Sequence, residues 1–207
     1  MSIISRSIVS RRVRLSRPDQ VDLFGETVAM PEGFAYRDEV ITAAEEAELI
    51  AEMNRLPFKP FEFQGYLGKR RIVSFGWKYD FDRKALRGSN PLPDFLVPLR
   101  KTAAEFAGLQ PEDLQQVLIN EYEAGAGVGW HRDKGMFQDV AGVSLSSAAT
   151  FRFRRERGDD WERVSRVLRP RSAYLMRGPS RWEWQHSVPP VDALRYSVTF
   201  RNFAAAQ

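Results

Sequence analysis

Cysteine is absent from the 207 residues, which excludes disulfides, thiolate nucleophiles and Cys-ligated zinc or iron–sulfur centres. Histidine is scarce, with two residues in the whole chain, His131 and His186. No apolar run approaches the roughly 20 residues needed to span a bilayer, so no membrane partner is expected. An apolar signal-peptide core is missing from the N-terminus as well. Acidic residues are absent before Asp19, whereas Arg6, Arg11, Arg12, Arg14 and Arg17 all precede it. An Arg- and Ser-rich start of this kind suits a flexible basic arm over 1–18 that touches phosphates, a solvated tail or an organellar targeting segment. Without targeting, the expected location is a bacterial-type cytoplasm.

What is present is ordinary in bulk. A 43% hydrophobic and 28% charged composition belongs to a soluble globular chain, and its length suffices for one domain with its own core, over 19–207. A monomer is expected. The net charge of +4 agrees with a polyanionic partner and does not require one.

Thr42 and Glu45 form a T-x-x-E capping box ahead of Leu49, Ile50 and Met53, which predicts a helix over 42–55. A second helix is predicted from Asp94, as N-cap, to Gly108, with Phe95, Leu99, Ala103 and Phe106 on its buried face. From about residue 115 the pattern changes to short strands: 116–122, 140–145, 150–155, 162–168, 172–176, 182–188 and 194–203. The expected architecture is α+β or mainly β, with N-terminal helices and a lid over 19–114 packed on a jelly-roll core over 115–207. Gly125-Ala126-Gly127-Val128-Gly129 lacks the spacing of a dinucleotide fingerprint and runs toward a strand, so it reads as a turn.

The two histidines carry the chemistry. In His131-Arg132-Asp133 an imidazole and a carboxylate stand at i and i+2, on one face if the segment is a strand. His186 follows Trp182 and Trp184 at the same alternation. Two imidazoles and one carboxylate with open positions suit an Fe(II) oxygenase or a hydrolytic zinc centre. Downstream, Arg195 and Arg201 lie six residues apart on one strand face, with Val198 and Phe200 on the other. A guanidinium binds a carboxylate through two parallel hydrogen bonds, which favours iron with a dicarboxylate co-substrate. Asn120 and Tyr122, also on one face, would add neutral hydrogen bonds.

Asn120-x-Tyr122, His131-x-Asp133, Val143-Ser144-Leu145, Gly178-Pro179-Ser180-Arg181, His186 and Arg195-Tyr196-x-x-Thr199-Phe200-Arg201 together resemble the AlkB-like, iron- and 2-oxoglutarate-dependent dioxygenases. Order and spacing agree over roughly the C-terminal ninety residues, agree less over 20–90, and do not match in the N-terminal arm. The resemblance implies a double-stranded β-helix that binds Fe(II) through His131, Asp133 and His186. It implies O2 as oxidant and 2-oxoglutarate as co-substrate. Arg195 would take the distal carboxylate, with Arg201 near the chelating end and Asn120 and Tyr122 in support. The implied reaction is oxidative demethylation of N-alkylated nucleobases, in DNA repair first. RNA bases, a protein side chain, or a catalytically silent nucleic-acid-binding relative are the alternatives.

The family places an aromatic and basic lid before the barrel. The corresponding segment here runs from Phe61 to Arg71 and from Ser74 to Phe81, where Tyr66, Trp77, Tyr79 and Phe81 are the candidate base-stacking residues. One departure concerns base reading. Lys134-Gly135-Met136 has no carboxylate two residues after Asp133, where nucleobase demethylases of this family often carry one. Either Asp139 substitutes from the loop or a different base edge is read.

Overall fold

Period-two alternation, with apolar residues at every second position, governs the architecture. A computed structural model describes residues 29–63, 66–80, 85–88 and 90–204, without the side chains of 63, 66–67, 78–80 and 85–88. The basic arm over 1–18 lies outside the described residues. The chain runs β1 (Phe34–Arg37), α1 (Ala43–Met53), β2 (Lys59–Phe63), β3 (Tyr66–Asp80), β4 (Ala85–Gly88) and α2 (Val97–Ala107). It continues with β5 (Gln116–Tyr122), β6 (Val128–His131), β7 (Phe137–Leu145), β8 (Ala149–Arg157) and β9 (Asp160–Leu168). The last elements are β10 (Ser172–Met176), α3 (Pro179–Trp182), β11 (Gln185–Val188) and β12 (Arg195–Phe203).

Among the described residues these strands form two antiparallel sheets, one in the order β1-β10-β7-β12-β5-β3-β2 with β4 on β3, the other β6-β11-β8-β9. This is the expected jelly roll. Strands β1, β2 and β3, from the N-terminal segment, join the same large sheet as β5, β7 and β12.

The two faces of the large sheet bury different things. Val117 and Ile119 of β5, Ala141, Val143 and Leu145 of β7, and Val198 and Phe200 of β12 pack on Met53, Leu99, Ala103 and Ala107 of the two helices. The intervening residues face the small sheet. On β12 these are Arg195, Ser197, Thr199 and Arg201, and on β5 they include Gln116, Asn120 and Tyr122; all are buried. A polar sheet face ordinarily meets water. Here it meets a second sheet, whose Phe151, Phe153 and Val164 supply the apolar part of the space between.

The helix ends follow from capping chemistry. The Thr42 amide donates to Glu45 Oε2 at 2.7 Å, and the Glu45 amide donates to Thr42 Oγ1 at 3.2 Å. This is the reciprocal box predicted. Asp94 does not cap α2 as expected: it opens a 3-10 turn over Asp94–Leu96 and makes no cap bond. Pro98 is the reason. An α-helix begun at Asp94 would need a Pro98 amide to bond the Asp94 carbonyl, and the ring would clash with that oxygen. The helix therefore starts at Val97, where Pro98 falls in the first turn, and ends at Gly108 in the left-handed region (φ 67°).

The strand expected over 182–188 is shorter. Pro179 opens a single helical turn, closed by the Trp182 amide on the Gly178 carbonyl at 3.0 Å and the Glu183 amide on Pro179 at 2.9 Å. Trp182 is consequently exposed at the end of that turn, off the face of His186, and Trp184 is buried against Phe153.

Removal of the α1 cap by Thr42→Ala is expected to cost about 1 kcal/mol of stability, with Thr42→Ser nearly neutral. Urea unfolding midpoints of the two variants check this.

Candidate active site

The glycine-rich turn before β6 is packed, not loose. A Cβ at Gly127 would stand 2.7 Å from the Val188 carbonyl oxygen, so glycine lets β6 lie close beside β11. In that pairing His131 and His186 are direct cross-strand partners, with ring centroids 4.2 Å apart. Strand β6 ends at His131, and Asp133 belongs to the loop after it, not to a continuing strand. Arg181, in the turn of α3, holds that loop. Its Nη2 donates to the Lys134 carbonyl at 2.7 Å and the Phe137 carbonyl at 2.9 Å.

Asp133 is thereby brought back to the histidines. Its Oδ2 lies 3.6 Å from His186 Nε2, and its Oδ1 accepts from Arg201 Nη2 at 2.9 Å. Arg201 Nη1 donates in turn to Gln116 Oε1 at 2.9 Å. His131 Nδ1 stands 2.9 Å from the Gly129 carbonyl, which acts as acceptor and leaves Nε2 with its lone pair.

Burial pushes His131 below the usual imidazole range against the pull of Asp133. Burial, with His131 beside it, pushes His186 down to about 3. Both rings are therefore neutral donors near pH 7. Burial would raise Asp133, but the Arg201 guanidinium, with the two imidazoles and Arg181, holds it well below the usual carboxylate range. With the imidazoles neutral, the Arg201 guanidinium, backed by Arg181, keeps Asp133 ionised.

Two neutral imidazoles and one carboxylate are a donor set for a divalent transition metal. Ligands at about 2.0–2.2 Å from one ion stand at most about 4.4 Å apart, a limit that the 3.6 Å separation of Asp133 Oδ2 from His186 Nε2 meets. Among the described residues no group of three or more such side chains closes into a ready-made cage. The convergence rests on these pairwise distances.

Arg195 supplies a second fit. It is buried at 1% exposure; its Nη2 donates to Ser144 Oγ at 3.2 Å, and its guanidinium lies 5.1 Å from the Tyr122 ring centroid. Nε and Nη1 have no partner, nor has the buried Asn120 Oδ1. Unsatisfied buried guanidinium N–H groups are costly. A carboxylate is the group that would satisfy the fork.

Sequence reasoning missed Tyr174. Its ring lies over Gly142, where an added Cβ would stand 2.2 Å from Tyr174 Cζ. Burial, with the charge of Asp133 nearby, pushes its hydroxyl pKa up. Arg70, on β3, lowers the pKa of His131 and stacks 4.1 Å over Phe61. Tyr174 stands in no pattern that marks it from local sequence; Arg181 stands in the Gly178-Pro179-Ser180-Arg181 stretch, which does not show that it holds the Asp133 loop.

The lid candidates fare differently. Trp77 is 44% exposed and borders a hollow with Leu92, Arg100 and Val117, on the helix side of the sheet. The structure does not bring it to the space between the sheets. Tyr66 and Tyr79 lie on β3 with side chains outside the described residues, and Phe81 lies outside them altogether. Asp139 does not substitute for the missing base-reading acid. It is buried, with Oδ2 2.7 Å from Arg177 Nη2, which also donates to the Ala107 carbonyl at the end of α2.

A jelly roll with paired histidines, a buried carboxylate and an open arginine fork between its sheets defines a class, the metal- and oxoacid-using oxygenases. A family model described as the 2OG-Fe(II) oxygenase superfamily matches residues 35–201. The chain belongs to that superfamily, among its AlkB-like members. It is similar to the mouse tRNA (carboxymethyluridine(34)-5-O)-methyltransferase ALKBH8, at 29% identity over 84% of this chain and 27% of that protein. It is 27% identical to the Alkylated DNA repair protein ALKBH8 homolog of Arabidopsis thaliana, over 88% of this chain and 58% of the relative. The chain thus spans about a quarter and somewhat over half of these two relatives. The solved structure of OsALKBH1 shares the fold, with a TM-score of 0.63 and 17% identity over 84% of this chain and 98% of that one.

Arg201→Ala strands a buried carboxylate and is expected to cost about 3–5 kcal/mol, and Gly142→Ala about 1–3 kcal/mol through overpacking against Tyr174. Thermal and urea unfolding of the metal-free variants measure both.

Proposed function

We propose that this chain is an Fe(II)- and 2-oxoglutarate-dependent dioxygenase that removes alkyl groups oxidatively from the nitrogens of nucleobases, with alkylated DNA as substrate. The observation that carries the reading is the buried Arg195 fork with two N–H groups unpaired, on the same strand as the Arg201 that holds Asp133. Hydrolysis at zinc does not itself require such a fork, whereas a dicarboxylate co-substrate does. The name of the Arabidopsis relative supports DNA. The name of the mouse relative favours a second reading, the same chemistry on a tRNA base.

In this reading His131, Asp133 and His186 hold the metal, and Arg195 binds the far carboxylate of 2-oxoglutarate. Ser144 and Tyr122 fix the guanidinium, and Asn120 completes the polar wall. When bound, Fe(II), 2-oxoglutarate and O2 supply the oxidant, yielding succinate and CO2 and placing one oxygen in a substrate C–H bond. Arg201 keeps Asp133 charged and oriented throughout. Phe151 and Phe153, with centroids 5.3 and 6.5 Å from His186, exclude water from the metal side. A hydroxymethyl group left on a base nitrogen departs as formaldehyde and restores the base.

His131→Ala is expected to abolish succinate formation from 2-oxoglutarate. Arg195→Ala should raise the 2-oxoglutarate concentration needed for half-maximal turnover at least about tenfold, the loss of one charge-assisted bond, with iron affinity nearly unchanged. An unaltered co-substrate requirement contradicts the assignment of Arg195. Mass spectrometry of methylated single-stranded DNA, double-stranded DNA and RNA oligonucleotides, incubated with Fe(II) and 2-oxoglutarate, tests the substrate. Loss of methyl groups from DNA is expected; loss from RNA alone selects the second reading, and loss from neither contradicts both.

A further inference from the structure

The small sheet has a second face, turned away from the histidines. Along β8, Phe151 and Phe153 point into the core, so Arg152 and Arg154 point outward. Their Nε groups are occupied by β11. Arg154 Nε donates to Gln185 Oε1 at 2.7 Å, and Arg152 Nε donates to Ser187 Oγ at 3.1 Å. Both guanidiniums lie over the Trp130 ring, 5.0 Å away for Arg152 and 4.6 Å for Arg154, and Arg154 also lies 4.1 Å from the Trp161 centroid. These contacts hold the arginine planes in place on the outward face.

The charge on this face is not balanced. Among the described residues neither Arg152 nor Arg154 has a carboxylate within ion-pairing distance. Arg155, on the opposite face of the same strand, pairs with both Glu162 and Glu183 at 2.9 Å. Arg163 stands directly across from Arg154, a like-charge cross-strand pair that destabilises a sheet. Its own nearest acid is Asp160, at 3.9 Å. Preorganised, unneutralised guanidinium forks beside half-buried indoles match one chemistry well: phosphates for the forks and bases for the rings. An acidic peptide would answer the charge and leave the rings unused.

Position links this face to the site. Strand β6 is the edge of the small sheet, and its consecutive residues Trp130 and His131 present opposite faces. A chain whose modified base sits between the sheets would cross this edge and run onto Trp130, Arg152 and Arg154. We infer that the outward face of the small sheet, formed by Trp130, Arg152, Arg154, Trp161 and Arg163, docks single-stranded nucleic acid flanking the reacting base. The inference rests on the nucleic-acid reading of the substrate, and extends it to a surface remote from the metal ligands.

Fluorescence anisotropy with a labelled, unmodified oligothymidylate, titrated across salt concentrations, tests the surface independently of the reaction. The double variant Arg152→Ala, Arg154→Ala is expected to bind about tenfold more weakly at low salt. Its plot of log affinity against log salt should be shallower by roughly 1.4, two phosphates released. Arg152→Lys with Arg154→Lys keeps the charge and loses the stacked fork. It should retain the salt slope while binding more weakly, and it carries the test if the alanine pair unfolds. Turnover of a free methylated nucleoside should be unchanged in both. Wild-type affinity and slope in the alanine pair, an absence of binding by the wild type, or an equal loss of nucleoside turnover would each overturn the proposal. Wild-type binding that the alanine pair loses, without demethylation of any oligonucleotide, leaves the docking surface standing and removes the proposed reaction.

Discussion

The carboxylate of Asp133 is enclosed by protein, and the interaction that makes this tolerable is its contact with Arg201. A buried carboxylate without a cation would either protonate or unfold its surroundings. Arg201 answers it from the neighbouring sheet, at 2.9 Å, and is itself anchored by Gln116. This bracket joins a loop of the small sheet to the middle of the large one. Through it, the strand register of β12 on β5 and the position of the loop that carries Asp133 become one constraint. The same charge keeps Asp133 anionic while burial keeps both imidazoles neutral, which is the protonation pattern a metal requires of its donors.

The rest of the site follows from the register so fixed. Arg195 sits six residues earlier on β12, on the same face, opposite Tyr122 on β5, and reaches Ser144 on β7. The paired arginines thus have different tasks set by what surrounds them. Arg201 finds its acid within the protein, and Arg195 does not. A buried fork with both Nε and Nη1 unpaired, beside the unpaired Asn120 Oδ1, is a binding preference written into the core. It is also a cost, offset by the apolar packing of the opposite sheet face on α1 and α2.

Much of this was legible in the sequence, for physical reasons that differ by element. Strands β5 and β10 follow from short apolar runs bounded by turn residues, and the α1 cap from its box, since each signal is local. The arginine spacing showed one face, but not which side it meets. Alternation gives polarity, and a polar face covered by a second sheet looks the same as one in water. Trp182-x-Trp184-x-His186 imitated a strand, while Pro179 after Gly178 set a helical turn that overrode it. His131-x-Asp133 read as a strand pair, yet β6 stops at His131 and Arg181 returns the acid to the site. Arg181, Tyr174 over Gly142, and the pairing of Asp139 with Arg177 are contacts between distant segments. No short window of sequence contains them, and the side of the sheet taken by Trp77 was hidden for the same reason.

In the proposed function the His131, Asp133 and His186 cluster and the Arg195 fork form one site for Fe(II) and 2-oxoglutarate together. Anaerobic titration of the protein with both, followed by visible absorption, tests it most directly, because 2-oxoglutarate chelating Fe(II) produces a charge-transfer band that neither component gives alone. The band is expected to appear and saturate at one equivalent of iron, to disappear in His186→Ala, and to need far more 2-oxoglutarate in Arg195→Ala. Saturating binding of both components without the band, or a band indifferent to both substitutions, would contradict it.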